Sequence, residues 1–93
     1  AVAVQFALAV VYPQAGNIGV GGFLVYRSAR RETSALDYRE TAPASAKRDM
    51  YLDSLGRVQD QLSRFGRTAS GVPGTVDGMW EVHKKYGKLP WSD

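Results

Sequence analysis

The chain has 93 residues, 44% of them hydrophobic and 23% charged, with a formal net charge of +3. That suffices for one small core and excludes wholesale disorder, while nine acidic residues interleaved among twelve basic ones exclude a nucleic-acid-binding stripe. The absence of cysteine rules out disulfides, thiolate metal sites and a cysteine nucleophile, and a single histidine cannot hold a metal unaided.

Ala1 to Tyr12 reads AVAVQFALAVVY, with Gln5 its one strongly polar residue. It falls short of the roughly 20 apolar residues that span a membrane, and no basic segment precedes it as in a signal peptide. A helix apolar all round is expected to be buried inside a larger protein, so the segment reads as a buried helix that Pro13 ends.

Four glycines follow within seven residues, at positions 16, 19, 21 and 22. Glycine-rich loops that cradle phosphate follow a strand and open a helix. Here the order is reversed, and the cluster reads as a tight turn that lets a strand approach a neighbouring backbone closely. Phe23-Leu24-Val25-Tyr26 and Thr33 to Tyr38 read as two strands joined by a polar connection, an antiparallel hairpin. Alternation puts Ala35 and Asp37 on one face and Leu36 and Tyr38 on the other.

Beyond the hairpin, Lys47 to Leu52 is expected to form a short helix and Asp53 to Ser70 a mobile surface loop. Val76–Tyr86 is the clearest helix. Thr75 is its expected N-cap, Asp77 suits its first turn, and Gly87 is its stop. Val76, Met79, Trp80, His83 and Tyr86 are its expected apolar face, and Glu81 with Lys85 an i,i+4 ion pair.

Few residues carry chemistry. Ser70 has no base nearby, and His83 reads as a packed histidine. Asp37-Tyr38-Arg39-Glu40 ends a strand, where a side chain can leave the sheet. Arg39 there has two readings: a bidentate grip on a carboxylate, or a local ion pair with Asp37 or Glu40.

Several segments together resemble the γ-glutamyltranspeptidase family. Gly16-Asn17-Ile18-Gly19-Val20-Gly21-Gly22-Phe23 resembles its glycine-rich segment, and Leu36-Asp37-Tyr38-Arg39-Glu40 with Ala42-Pro43-Ala44 its next strand and exit. Arg48-Asp49-Met50-Tyr51-Leu52, Gly71-Val72-Pro73-Gly74-Thr75-Val76 and Lys84-Lys85-Tyr86-Gly87-Lys88-Leu89-Pro90 continue in order. Val20 stands where the family usually has glycine, Asp77 where alanine is common, and Arg67-Thr68 where His-Leu is typical.

The resemblance implies an α/β fold, part of an N-terminal-nucleophile hydrolase αββα sandwich, with residues 1–93 a single partial domain near the start of the large subunit. It implies a periplasmic, extracellular or cell-surface enzyme without cofactor, which cleaves the γ-glutamyl amide of glutathione and passes the γ-glutamyl group to water or an acceptor amine. The nucleophile it implies is a threonine at the N-terminus of the small subunit, with its own α-amine as base. Thr33, Thr41, Thr68 and Thr75 are all internal and the chain starts with alanine, so this chain alone is expected to be inactive. The implied partners are the rest of the large subunit, the small subunit and a γ-glutamyl substrate, whose α-carboxylate the resemblance assigns to Arg39. A truncated, non-enzymatic chain or binding module of the same fold is the alternative. Apolar surface left uncovered would make the isolated chain self-associate.

Overall fold

The structure, a computed structural model, describes residues 1–92. The order is α1 (Val2–Val11), β1 (Phe23–Arg27), β2 (Thr33–Asp37), α2 (Asp60–Arg64), a 3-10 turn at Arg67–Ala69, and α3 (Thr75–Tyr86). The chain divides into two compact units, one of residues 1–40 with 73–93 and the other of residues 41–72.

In the first unit, β1 and β2 pair antiparallel from Phe23↔Asp37 to Arg27↔Thr33, as the alternation requires. The connection closes with Ser28 N–H donating to Glu32 O (2.9 Å) and Arg31 N–H to Ser28 O (3.0 Å). The ladder runs one pair beyond β1, with Tyr38 N–H donating to Gly22 O at 2.9 Å. One face of the hairpin carries Leu24, Tyr26, Ser34, Leu36 and Tyr38, all half-buried; Phe23, Val25, Ala35 and Asp37 stand exposed on the other.

Helix α3 meets the half-buried face. Tyr86 stacks on Tyr26 with ring centroids 4.1 Å apart, and its hydroxyl hydrogen-bonds Ser34 Oγ. The buried residues of α3 are Thr75, Gly78, Met79 and Val82, at i, i+3, i+4 and i+7. This corrects the expected face by a rotation of the helix. Met79 (3% exposed) and Val82 (7%) form the core, whereas Val76 and Trp80 are exposed because the hairpin lies on the Val82 side. The expected Glu81–Lys85 pair is replaced by Lys84 Nζ to Glu81 Oε1 at 2.5 Å, i,i+3 spacing.

Thr75 is not the N-cap either. Gly74 holds that position, and Thr75 is the first helical residue. Its hydroxyl donates to Val20 O at 2.7 Å, and the same carbonyl accepts Thr75 N–H (3.0 Å) and Gly74 N–H (3.1 Å). The glycine-rich loop is thereby fastened to the start of α3. The helix ends where Gly87 turns to extended backbone (φ −66°, ψ 147°), a place that suits glycine because a Cβ there would lie 2.6 Å from His83 Nδ1.

Helix α1 forms as expected, but none of its residues is buried in this chain; Val10 is 80% exposed. Val2, Gln5, Phe6 and Ala9 are half-buried, and Phe6 lies edge-on to Trp91, which also meets Trp80 and His83 edge-on at 5.1 Å. His83 is thus a packed ring, as read. No helix among the described residues is long and apolar enough to cross a membrane.

Tyr38 sits in a socket of glycines. A Cβ on Gly22 would lie 3.2 Å from its ring, one on Gly78 2.9 Å from its Cδ1, and one on Gly74 3.0 Å from its carbonyl carbon. Gly21 crowds the next peptide, where a Cβ would lie 2.6 Å from Arg39 Cα. These contacts are the close backbone approach that the cluster implied. Val20 shows no strain, since Arg31 alone among described non-glycine residues has positive φ.

The second unit corrects two expectations. Lys47 to Leu52 makes turns rather than a helix, with Met50 N–H reaching Lys47 O and Leu52 N–H Asp49 O. Asp53 to Ser70 is more ordered than a plain loop. Leu52 bridges Val58 around a turn that the Asp53 carboxylate organises, accepting Leu55 N–H, Arg57 N–H and Arg57 Nε–H at 2.9–3.1 Å. Gly56 supplies the positive φ (+75°) that this turn needs. Helix α2 and the 3-10 turn follow, tied by Thr68 Oγ1 to Leu62 O at 3.2 Å.

The socket yields a prediction. Gly78→Ala gains about 1 kcal/mol of helix propensity but overpacks against Tyr38, at a cost of about 1–3 kcal/mol. The expected outcome is net destabilisation, read as a lower midpoint in denaturant melts. By contrast, Val20→Gly should be neutral or slightly destabilising, because no backbone strain exists for it to relieve.

Candidate functional site

The site is built at the end of β2, where Arg39 follows the last ladder pair. Odd-numbered residues of β2 face outward, so Arg39 leaves on the same face as Phe23 and Asp37. Phe23 pairs with Asp37, which makes Arg39 its diagonal neighbour across the hairpin. The guanidinium carbon lies 5.5 Å from the centre of the Phe23 ring.

Both neighbouring carboxylates are engaged elsewhere. Asp37 Oδ1 accepts the backbone N–H of Arg39 at 3.0 Å. Glu40 Oε1 accepts Gly21 N–H at 2.9 Å, across the hairpin. Among the described residues no ion pair involves Arg39. The local pairing with Asp37 or Glu40, the competing reading from sequence, does not form. A five-donor planar fork is left exposed on a ledge whose backbone is held by Gly21 and by the Asp37 carboxylate.

Glu40 titrates below the usual carboxylate range. Its own backbone N–H is the largest cause and the Gly21 N–H the next; partial desolvation opposes them and the charge of Arg39 adds a small favourable contribution. Tyr86 is also lowered, mainly by its bond to Ser34, against opposition from burial.

The other candidates do not join this site. Thr75 is 2% exposed with its hydroxyl donating to Val20, and no nucleophile–base pair involves it. His83 packs at the far end of α3 against Trp91. No group of three or more metal-ligating side chains occurs among the described residues. Phe23 and Glu40 are the contributors that motif reading undervalued. The signal for Phe23 was its parity: counting back from Arg39 through the expected hairpin places the two on one face. For Glu40 there was no local signal, since its partner lies 19 positions away.

A family profile for γ-glutamyltranspeptidase matches residues 1–93. The chain belongs to the γ-glutamyltranspeptidase family. It is 56% identical over 94 aligned positions to the glutathione hydrolase proenzyme of Pseudomonas aeruginosa, covering all of this chain and 16% of that relative. Its fold superposes on γ-glutamyltranspeptidase from Pseudomonas nitroreducens, solved as a complex with L-DON, with a TM-score of 0.89 and 53% identity over 98% of this chain and 27% of that one. The Helicobacter pylori γ-glutamyltranspeptidase gives 0.88 and 56%, over 95% and 25%. The fold is therefore the mixed α/β arrangement of the N-terminal-nucleophile hydrolases, of which this γ-glutamyltranspeptidase segment spans about 16% of the curated relatives' length.

The lowered Glu40 gives a pH prediction. A carboxylate with a depressed folded-state pKa stabilises the fold above its unfolded pKa, and that contribution is lost as pH falls through the folded value. The Gly21 amide resonance should therefore titrate in acid with a midpoint below that of an ordinary glutamate. In Glu40→Gln the Gly21 titration should vanish.

Proposed function

We propose that this chain forms part of the large subunit of a glutathione hydrolase and γ-glutamyltransferase, and that Arg39 holds the α-carboxylate of its γ-glutamyl substrate. The observation that carries the assignment is the free guanidinium at the end of β2, with Asp37 and Glu40 both turned to backbone N–H groups. Family membership over all 93 residues supplies the chemical setting.

The γ-glutamyl group carries its α-carboxylate several bonds from the scissile amide. A bidentate grip at that end fixes both position and orientation of the amide, which a single ammonium cannot do. The threonine nucleophile and its amine base come from the small subunit. A threonine hydroxyl attacks the γ-carbonyl, the peptide amine leaves with a proton, and water or an acceptor amine then takes the γ-glutamyl group. On the same reading the full-length protein resides in the periplasm or outside the cell. The non-enzymatic alternative rests on no observation in the structure.

In the full-length, self-processed protein, Arg39→Lys should raise KM for glutathione and lower kcat/KM by about 2–4 kcal/mol, because an ammonium keeps the charge but loses the paired donors of the fork. Steady-state kinetics measures it, with processing followed on gels and expected to be nearly unchanged. A value of kcat/KM within about twofold of wild type would reduce Arg39 to a surface residue. The 93-residue chain by itself should release no chromophore from a γ-glutamyl anilide.

A further inference from the structure

We propose that Phe23 is a positioning residue for substrate binding, its ring serving as the platform that orients the Arg39 guanidinium. This rests on the reading of Arg39 given above and adds to it a residue that determines where the arginine fork points.

Three observations carry it. The guanidinium carbon stands 5.5 Å from the Phe23 ring centre, within the range in which the negative face of an aromatic ring attracts a cation. Phe23 and Arg39 are diagonal neighbours on one face of the hairpin, so the contact follows from the strand register. Phe23 is 64% exposed, so the face of its ring is open to the guanidinium on the outer side of the hairpin.

The consequence is positional. Arginine has four flexible side-chain torsions, and an unattached fork would lose that freedom on binding a carboxylate. Holding the guanidinium on a ring leaves its N–H edge open to an anion while removing part of that entropic cost before substrate arrives. Neither carboxylate next to Arg39 supplies this restraint, because Asp37 and Glu40 are committed to Arg39 N–H and Gly21 N–H. A carboxylate restraint would moreover occupy the donors the substrate needs. An aromatic ring restrains the cation without using any donor.

The test replaces Phe23 in the full-length, self-processed protein with fluorinated phenylalanines, from one fluorine to five. These nearly keep the shape of the ring while progressively cancelling its negative face. KM for glutathione should rise stepwise, reaching about two- to fivefold for the pentafluoro ring, as expected for an exposed cation–π contact. The kcat value and the thermal midpoint should stay near wild type. Phe23→Leu should match the pentafluoro protein, and Phe23→Tyr should restore KM. In an Arg39→Gln background the fluorination series should flatten, since no cation remains for the ring to attract. A flat series in the wild-type background, with Arg39→Lys still raising KM, would overturn the platform while sparing the reading of Arg39. Unchanged KM in Arg39→Lys would instead overturn that reading, and the platform's role in binding with it. A KM rise that tracks a falling melting temperature would make Phe23 a packing residue only.

Discussion

One carbonyl group fixes the geometry of the first unit. Val20 O accepts Gly74 N–H, Thr75 N–H and Thr75 Oγ1–H, three donors on an atom with two lone pairs. They come from the first turn of α3, where helical N–H groups have no partner within the helix. A residue 55 positions earlier satisfies them. With the loop held there, Gly21 and Gly22 are brought against the Tyr38–Arg39 peptide, and the hairpin is seated against Met79 and Val82. Thr75 gives up the ordinary capping role to make this link. Its side chain is consequently the most buried in the core, although it is polar.

The same fastening explains how an arginine flanked by acids stays free. Glu40 would be a natural partner for Arg39, but Gly21 N–H is presented to it across the hairpin and takes its carboxylate. Asp37 is drawn to the Arg39 backbone. Two acidic neighbours thus organise the main chain around the arginine instead of neutralising its head group. Charge on this ledge is arranged by which groups the backbone occupies first.

Much of this fold is legible in the sequence because its signals are local. The hairpin follows from alternation between Phe23 and Tyr38, α3 from its cap region and Gly87, and the purpose of the glycine cluster from its order relative to the strand. What failed was long-range. The rotation of α3 depends on where the hairpin lies, so Val82 gave no sign that it would displace Val76 and Trp80. The Thr75–Val20 bond and the Glu40–Gly21 bond join residues 55 and 19 positions apart. Helix α2 and the Asp53 turn went unseen because their order comes from side chain-to-backbone bonds in a polar stretch without apolar period. The apolar α1 was recognised as a helix, but burial needs surfaces these residues do not supply. For the site, Arg39 was visible from strand position and family likeness, and its freedom from Asp37 and Glu40 was not.

The glycine socket around Tyr38 has a consequence for how such a chain can change over generations. Gly21, Gly22, Gly74 and Gly78 come from two stretches separated by more than half the chain; Gly21 and Gly74 press on the Tyr38–Arg39 backbone, Gly22 and Gly78 on the Tyr38 side chain. A side chain at any of them would force a shift, and shrinking Tyr38 would leave Gly22 and Gly78 facing a void. The two stretches therefore fit as a matched pair: a recombination that took one without the other would bring a lock without its key. The residues between them, 41 to 72, lie in a separate compact unit and carry no such constraint, so insertions and drift have their freest room there.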